Sequence, residues 1–240
     1  MPAAPNADAG ELRKFDALAH QYWDPAGPLH TLHSLNGPRT AYIAARAPLA
    51  GATLADVGCG GGMLAESAAR LGARVTAIDL ASGMIEVARL HGSESQLAID
   101  YRCISAAELA ASAPAAFDVV CCMELIEHVP DPAALLRELA QLLRPGGNLF
   151  MSTINRSLRS FLGAIVAAEY VLGLVPRGTH EYAKLIRPSE LARAARAAGL
   201  ELHDVQGLRY DPFTRRAQLG GRPDINYIAH FSRPSAASAA

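Results

Sequence analysis

The chain has 240 residues, half of them hydrophobic, and a formal net charge of −1. That is enough for one α/β domain with a well-buried core, and the balanced charge excludes a nucleic-acid binder that relies on a basic excess. Its four cysteines, Cys59, Cys103, Cys121 and Cys122, contain no C-x-x-C pair, which argues against zinc or disulfides and suits a reducing cytoplasm.

In chain order, residues 1–10 lack the basic start and apolar core of a signal peptide and read as disordered. Glu11–Trp23 is expected to be a helix, with Leu12, Phe15, Leu18, Ala19 and Tyr22 in one stripe and Asp24-Pro25 as its stop. Ala26–Pro38 reads as a loop and Arg39–Arg46 as a second helix, so residues 11–50 form a helical cap ahead of the first core strand. Strands then alternate with helices. Thr53–Val57, Arg74–Ile78, Ile99–Ile104 and Phe117–Met123 are the strands; Met63–Leu71 and Ser82–His91 are helices. Asp131 caps a further helix with Pro132 at its first position, Leu135, Leu136, Leu139, Leu142 and Leu143 on its buried face, and Gly146-Gly147 at its end. Asn148–Ile154 is a fifth strand, Pro188–Ala198 a last helix, and Leu200–Val205 and Tyr227–Ser232 the final strands. The alternation implies a parallel sheet with right-handed crossovers. Residues 155–187 stand apart as an apolar insertion, with Phe161, Leu162, Ile165, Val166 and Leu172 among its crowded apolar residues. It reads either as an extra core helix or as a lid or interfacial helix over an apolar substrate, and no stretch is long and apolar enough to span a bilayer. Residues 233–240 read as a disordered tail, leaving one domain over 11–232.

The chemistry centres on Asp56-Val-Gly-Cys-Gly-Gly-Gly62, set between a strand and a helix. Such a turn brings bare backbone to a nucleotide and offers the unpaired N–H groups of a helix start. The dinucleotide fingerprint wants a small residue at the sixth position from Gly58; that residue is Met63, which argues against NAD. At the end of the second strand, 21 positions beyond Gly58, Asp79 can accept both hydroxyls of a ribose. Gly58-x-Gly60-x-Gly62 followed by Asp79 resembles the class I S-adenosylmethionine-dependent methyltransferases.

Further stretches sharpen that resemblance: Phe15–Asp24, Leu32–Asn36 with Arg39, Cys122–Asp131, Ser152–Arg156, Val175–His180 and Asp224–Tyr227. Together, over residues 11–232, they are similar to the ubiquinone-biosynthesis O-methyltransferases. The resemblance implies a Rossmann-like α/β fold with a seven-stranded, mostly parallel sheet and an antiparallel last strand. It implies S-adenosylmethionine as cofactor, touched by Arg39, Gly58, Asp79 and Met123, with Gly60 in the same turn. It also implies a polyprenylated phenol or catechol as acceptor, without nucleic acid, and admits a complex with other quinone-biosynthesis enzymes. One departure is Asn36-Gly-Pro-Arg39, where the family usually has Asn-Pro-x-Arg. A methyltransferase for another small acceptor and a non-catalytic nucleotide-fold protein are the rival readings. A substrate that lives in the bilayer places the enzyme in the cytoplasm, peripherally bound to an anionic membrane through the insertion and its flanking arginines.

Three residues at the end of the fourth strand are the catalytic candidates: Glu124, Glu127 and His128. Helical spacing of i, i+3 and i+4 sets them on one face. They read as a Mg²⁺ site that acidifies a chelated catechol, as a direct His128 general base, or as a loop that only orders the next helix.

Overall fold

The computed structural model describes residues 6–157 and 182–235. Its centre is an eight-stranded mixed sheet: β1 (Thr53–Val57), β2 (Arg74–Ile78), β3 (Ile99–Arg102), β4 (Phe117–Met123), β5 (Leu143–Ile154), β6 (Glu201–Asp211), β7 (Arg216–Leu219) and β8 (Asn226–Ser232). The order is β3-β2-β1-β4-β5-β8-β6-β7. β1 to β5 run parallel, and β8 enters antiparallel to both β5 and β6. The last strand is therefore antiparallel, as expected. The count of seven is corrected to eight by β7, which pairs antiparallel with β6. Its sequence Arg-Ala-Gln-Leu is half exposed and carries little of the apolar alternation that marks a strand.

Helices cover both faces. α2 (His30–Ala44), α3 (Met63–Arg70) and α4 (Ser82–Glu94) pack on one through Tyr42, Ile43, Leu64, Ala65 and Ile85. α5 (Ala106–Ser112), α6 (Pro132–Leu142) and α7 (Pro188–Ala197) pack on the other through Leu109, Leu136, Leu139 and Leu191. α6 shows which force dominates. Asp131 accepts the Ala134 N–H at 2.9 Å, a cap worth about 1 kcal/mol. Each of the fully buried leucines Leu135, Leu136, Leu139 and Leu142 contributes about 1.5–3 kcal/mol. Packing decides the helix and the cap sets its start.

Several boundaries differ from the sequence expectation. α1 (Ala9–Leu18) starts inside the stretch 1–10 expected to be disordered, because Asp8 accepts the N–H groups of Gly10 and Glu11. It ends at Leu18, where a 3₁₀ turn (Ala19–Gln21) takes over and swings Tyr22 and Trp23 inward. α2 runs straight through the expected loop and past Pro38. An internal proline costs a helix about 3 kcal/mol; burial of Leu35, Arg39, Tyr42 and Ile43 along one face outweighs that here. Leu143 and Gly146-Gly147, expected to finish α6, lie instead in β5, whose pairing with β4 shifts register between Phe117 and Val119. Arg233, placed in the tail, donates to Leu143 O at 2.6 Å. The apolar run Phe161–Val175 lies outside the described residues, as do residues 1–5 and 236–240.

Candidate active site

β1 lies beside β4 where the strand order reverses, so their carboxyl ends open a crevice, the usual ligand position of an open α/β sheet. A cavity of about 760 Å³ occupies it, enough for two small molecules. The glycine turn forms one wall. Gly58, Gly60 and Gly62 have φ of +75°, +52° and +90°, a region in which other residues are strained. A Cβ on Gly58 would meet Leu125 Cδ2 at 2.8 Å, and one on Gly61 would meet the Tyr22 ring at 2.3 Å. The turn is thus bare so that Leu125 can pack against Gly58 and an aromatic from the N-terminal cap can lie against Gly60 and Gly61.

Asp79 ties the turn together. Its Oδ2 accepts the Gly60 N–H and its Oδ1 the Ala81 N–H, both at 2.9 Å. Burial raises its pKa, although the Ala81, Gly60 and Leu80 N–H groups hold it down. Each oxygen keeps a lone pair for a ribose hydroxyl. Two further buried polar groups line the cavity. Arg39 is 5% exposed, and its Nε has no hydrogen-bond partner. Asp56 Oδ2 is equally unpaired; burial, with Asp79 nearby, pushes its pKa up to about 7. A buried guanidinium edge and a buried carboxylate oxygen without partners each cost free energy. Together they match the carboxylate and ammonium of an amino acid moiety. Met123, half-buried at the end of β4, lines the same cavity. Bare turn, ribose acceptor, zwitterion partners and thioether wall fit S-adenosylmethionine.

The catalytic candidates separate. Glu124 takes φ +52°, which ends the strand abruptly, and Ile126–His128 forms a 3₁₀ turn instead of α-helix. The i, i+3, i+4 alignment is therefore lost. Glu124 pairs with Arg39, accepts the Ser152 hydroxyl at 2.8 Å and lines the cavity. Glu127 turns the other way. It is 3% exposed, is no part of the cavity wall, and neither of its oxygens has a hydrogen-bond partner. Burial, reinforced by Glu124, pushes its pKa well above the ordinary carboxylate range and favours the neutral acid. His128 faces the cavity. Its Nδ1 lies 2.8 Å from Glu11 Oε2, and its ring stands edge-on to Phe15 with centroids 5.3 Å apart. Burial raises the Glu11 pKa, but Lys14 and His128 more than offset this and leave it lowered. Among the described residues no three His, Cys, Asp or Glu side chains converge on a point that could hold a metal ion. The expected Mg²⁺ trio Glu124, Glu127 and His128 does not fit, because the 3₁₀ turn sends Glu127 into the core.

Other residues of the site went unassigned in the sequence. Tyr22 closes over Gly60 and Gly61, while Trp23 donates from Nε1 to Gly61 O at 3.0 Å and stacks on His91. Glu11 orients His128. Leu208, Tyr210, Ile225 and Asn226 of the β6–β8 region complete the far wall. Tyr22 and Trp23 sit in a stretch that carried the family resemblance, which was the available signal. Glu11 had none beyond its place in a helix.

The fold and site are those of a methyltransferase domain, and the family model of that description matches residues 29–205. Solved structures agree at the level of fold. A magnesium protoporphyrin IX methyltransferase from Synechocystis PCC 6803 with bound S-adenosylhomocysteine superposes with a TM-score of 0.69 at 18% identity, covering 92% of this chain and 94% of that one. A Burkholderia thailandensis 1,6-didemethyltoxoflavin-N1-methyltransferase superposes at 0.67 and 20% identity, covering 98% and 92%. Curated relatives are much nearer in sequence. The ubiquinone biosynthesis O-methyltransferase of Xanthomonas oryzae is 53% identical, covering 98% of each chain, and that of Xylella fastidiosa is 55% identical, covering 96% of this chain and 94% of its own. The chain belongs to the ubiquinone biosynthesis O-methyltransferase family.

Proposed function

We propose that this enzyme transfers a methyl group from S-adenosylmethionine to a phenolic hydroxyl of a polyprenylated catechol or demethylubiquinol, with His128 as general base. The observation that carries this is one continuous cavity. It joins the glycine turn and Asp79 to a histidine held by a carboxylate, and then to apolar walls from Leu12, Phe15, Leu29 and Leu32. The donor supplies a methyl already bound to a good leaving group. The protein's tasks are therefore alignment and removal of the phenol proton. Gly58, Gly60, Asp79, Met123 and Arg39 position the donor. Glu11 fixes the His128 ring so that it takes the proton of a phenol of pKa near 10. Glu124 holds Arg39 in place and faces the reacting groups. The apolar wall receives the start of the prenyl chain.

A substrate of this kind resides in the bilayer, so peripheral binding to an anionic membrane on the cytoplasmic side belongs to the same proposal. No helix among the described residues is long and apolar enough to cross a membrane. The test is mass spectrometry of products from prenylated catechols with isotope-labelled methyl donor, run beside His128→Ala. Wild type should transfer the label to one phenolic oxygen. The variant should bind donor normally and turn over at least ~100-fold more slowly. Unlabelled catechols throughout would reject the acceptor assignment, and full turnover by His128→Ala would reject the base.

A further inference from the structure

The β6–β7 hairpin ends in Asp211-Pro-Phe-Thr-Arg-Arg216. At its tip Phe213 is 92% exposed, the most exposed large apolar side chain among the described residues. The turn is built to hold it outward. Asp211 accepts the Phe213 N–H and the Thr214 hydroxyl at 2.9 and 2.8 Å, while Ser34 of α2 donates to Arg215 O at 3.1 Å. Arg215 and Arg216 follow Phe213 at the tip, while Arg209 stands on β6 and Arg222 lies beyond the far end of β7; all four are exposed. None of these four takes part in an ion pair among the described residues. Arg209, Pro212 and Arg222 also line the cavity, as does Ile225, which is 38% exposed. The hairpin is therefore one rim of the opening.

We propose that this hairpin tip is a membrane-docking finger: Phe213 enters the headgroup region of an anionic bilayer, the arginines pair with its lipid phosphates, and the cavity rim is held against the acyl chains. An exposed phenyl ring is costly in water and gains by burial at the boundary of headgroup and acyl chain. Arg215 and Arg216 at the tip, backed by Arg209 and Arg222 at the cavity rim, have no ion pair among the described residues and match a negative lipid surface, and Arg takes phosphate oxygens in pairs. The finger gives the apolar substrate a path from bilayer to cavity that avoids water. It lies in a different stretch of sequence from the apolar run 161–175. It rests on the proposed function only for the reason a bilayer must be reached.

The test uses vesicles of phosphatidylcholine alone and vesicles with added phosphatidylglycerol, in flotation. Wild type should float with the anionic vesicles only, less at high salt. Phe213→Ser and the double variant Arg215→Ser/Arg216→Ser should each lose at least about fivefold in the bound fraction. Phe213→Trp should shift its fluorescence to shorter wavelength when anionic vesicles are added. Wild type that stays in solution, variants that float as it does, or a Phe213→Trp emission that does not move would overturn the proposal. So would a Phe213-dependent dimer without vesicle binding, which would assign the tip to a protein contact. Methylation of a short-chain, water-soluble catechol is followed in parallel. The variants should retain it; its absence in wild type would count against the enzymatic reading and leave the docking result to stand alone.

Discussion

At the scale of single residues the site depends on buried carboxylates with different tasks. Asp79 braces the glycine turn through two N–H groups, and the ribose role proposed for it rests on its remaining lone pairs. Each charge-assisted hydrogen bond lost contributes about 1.5–3 kcal/mol. Asp79→Ala should weaken donor binding at least tenfold in calorimetry, and an unchanged dissociation constant would refute its ribose role. Glu127 poses the opposite case. Its pKa in the folded protein lies well above the ordinary 4.5, because burial disfavours its charge. The folded state thus binds this proton more tightly than the unfolded chain. The associated stability is complete below the ordinary value and is lost as pH rises through the raised one. Glu127→Gln mimics the neutral acid. It should flatten that decline and leave the protein more stable than wild type at pH 8, by on the order of a few kcal/mol. Urea midpoints measured from pH 5 to 9 check this; parallel curves for the two proteins would show that Glu127 is not the titrating group.

At the scale of elements, α1 is the part that brings chemistry to the sheet. Asp16 accepts the Gly83 N–H at 2.9 Å and fastens α1 to the start of α4. Phe15 and Glu11, one helical turn apart, then grip the His128 ring from one side. Removing the orienting charge should slow the reaction without touching the donor. Glu11→Gln is expected to lower kcat about tenfold or more while donor affinity stays at the wild-type value. Equal losses in both would instead indicate that α1 simply holds the cavity closed. The same helix shows the reach of sequence reading at this scale. Its apolar stripe is visible in the residues. Its partner His128 is 117 positions away, and no local pattern can announce that pairing.

At the scale of the whole molecule, the sheet itself is the protective device. Cys121 and Cys122 lie in β4, buried on opposite faces, and Cys59 is buried in the glycine turn; Cys103 alone is exposed. Burial raises the pKa of all four thiols, far more for the three inside. A thiol reagent under native conditions should therefore titrate one cysteine per chain, faster as pH rises, and four after denaturation. Rapid modification of more than one in the native protein would contradict the burial of Cys59, Cys121 and Cys122.

The sequence alone determined what is encoded within a few neighbouring residues. β1, β2 and β4 begin and end where their apolar runs do, because a buried parallel strand is a continuous apolar segment bounded by turn residues. The glycine turn, Asp79 and the Asp131-Pro132 helix start were legible for the same reason. Only the tertiary structure decided the rest. Pro38 stays inside a helix because the sheet buries that helix's far side, an energy that no local propensity contains. Tyr22 covers the glycine turn, and Glu127 and His128 part company, because contacts across the chain choose their directions. β7 forms from a weakly patterned segment because β6 offers it an open edge. Local patterns report backbone geometry and caps; which side chains meet is settled only when distant segments compete for one core.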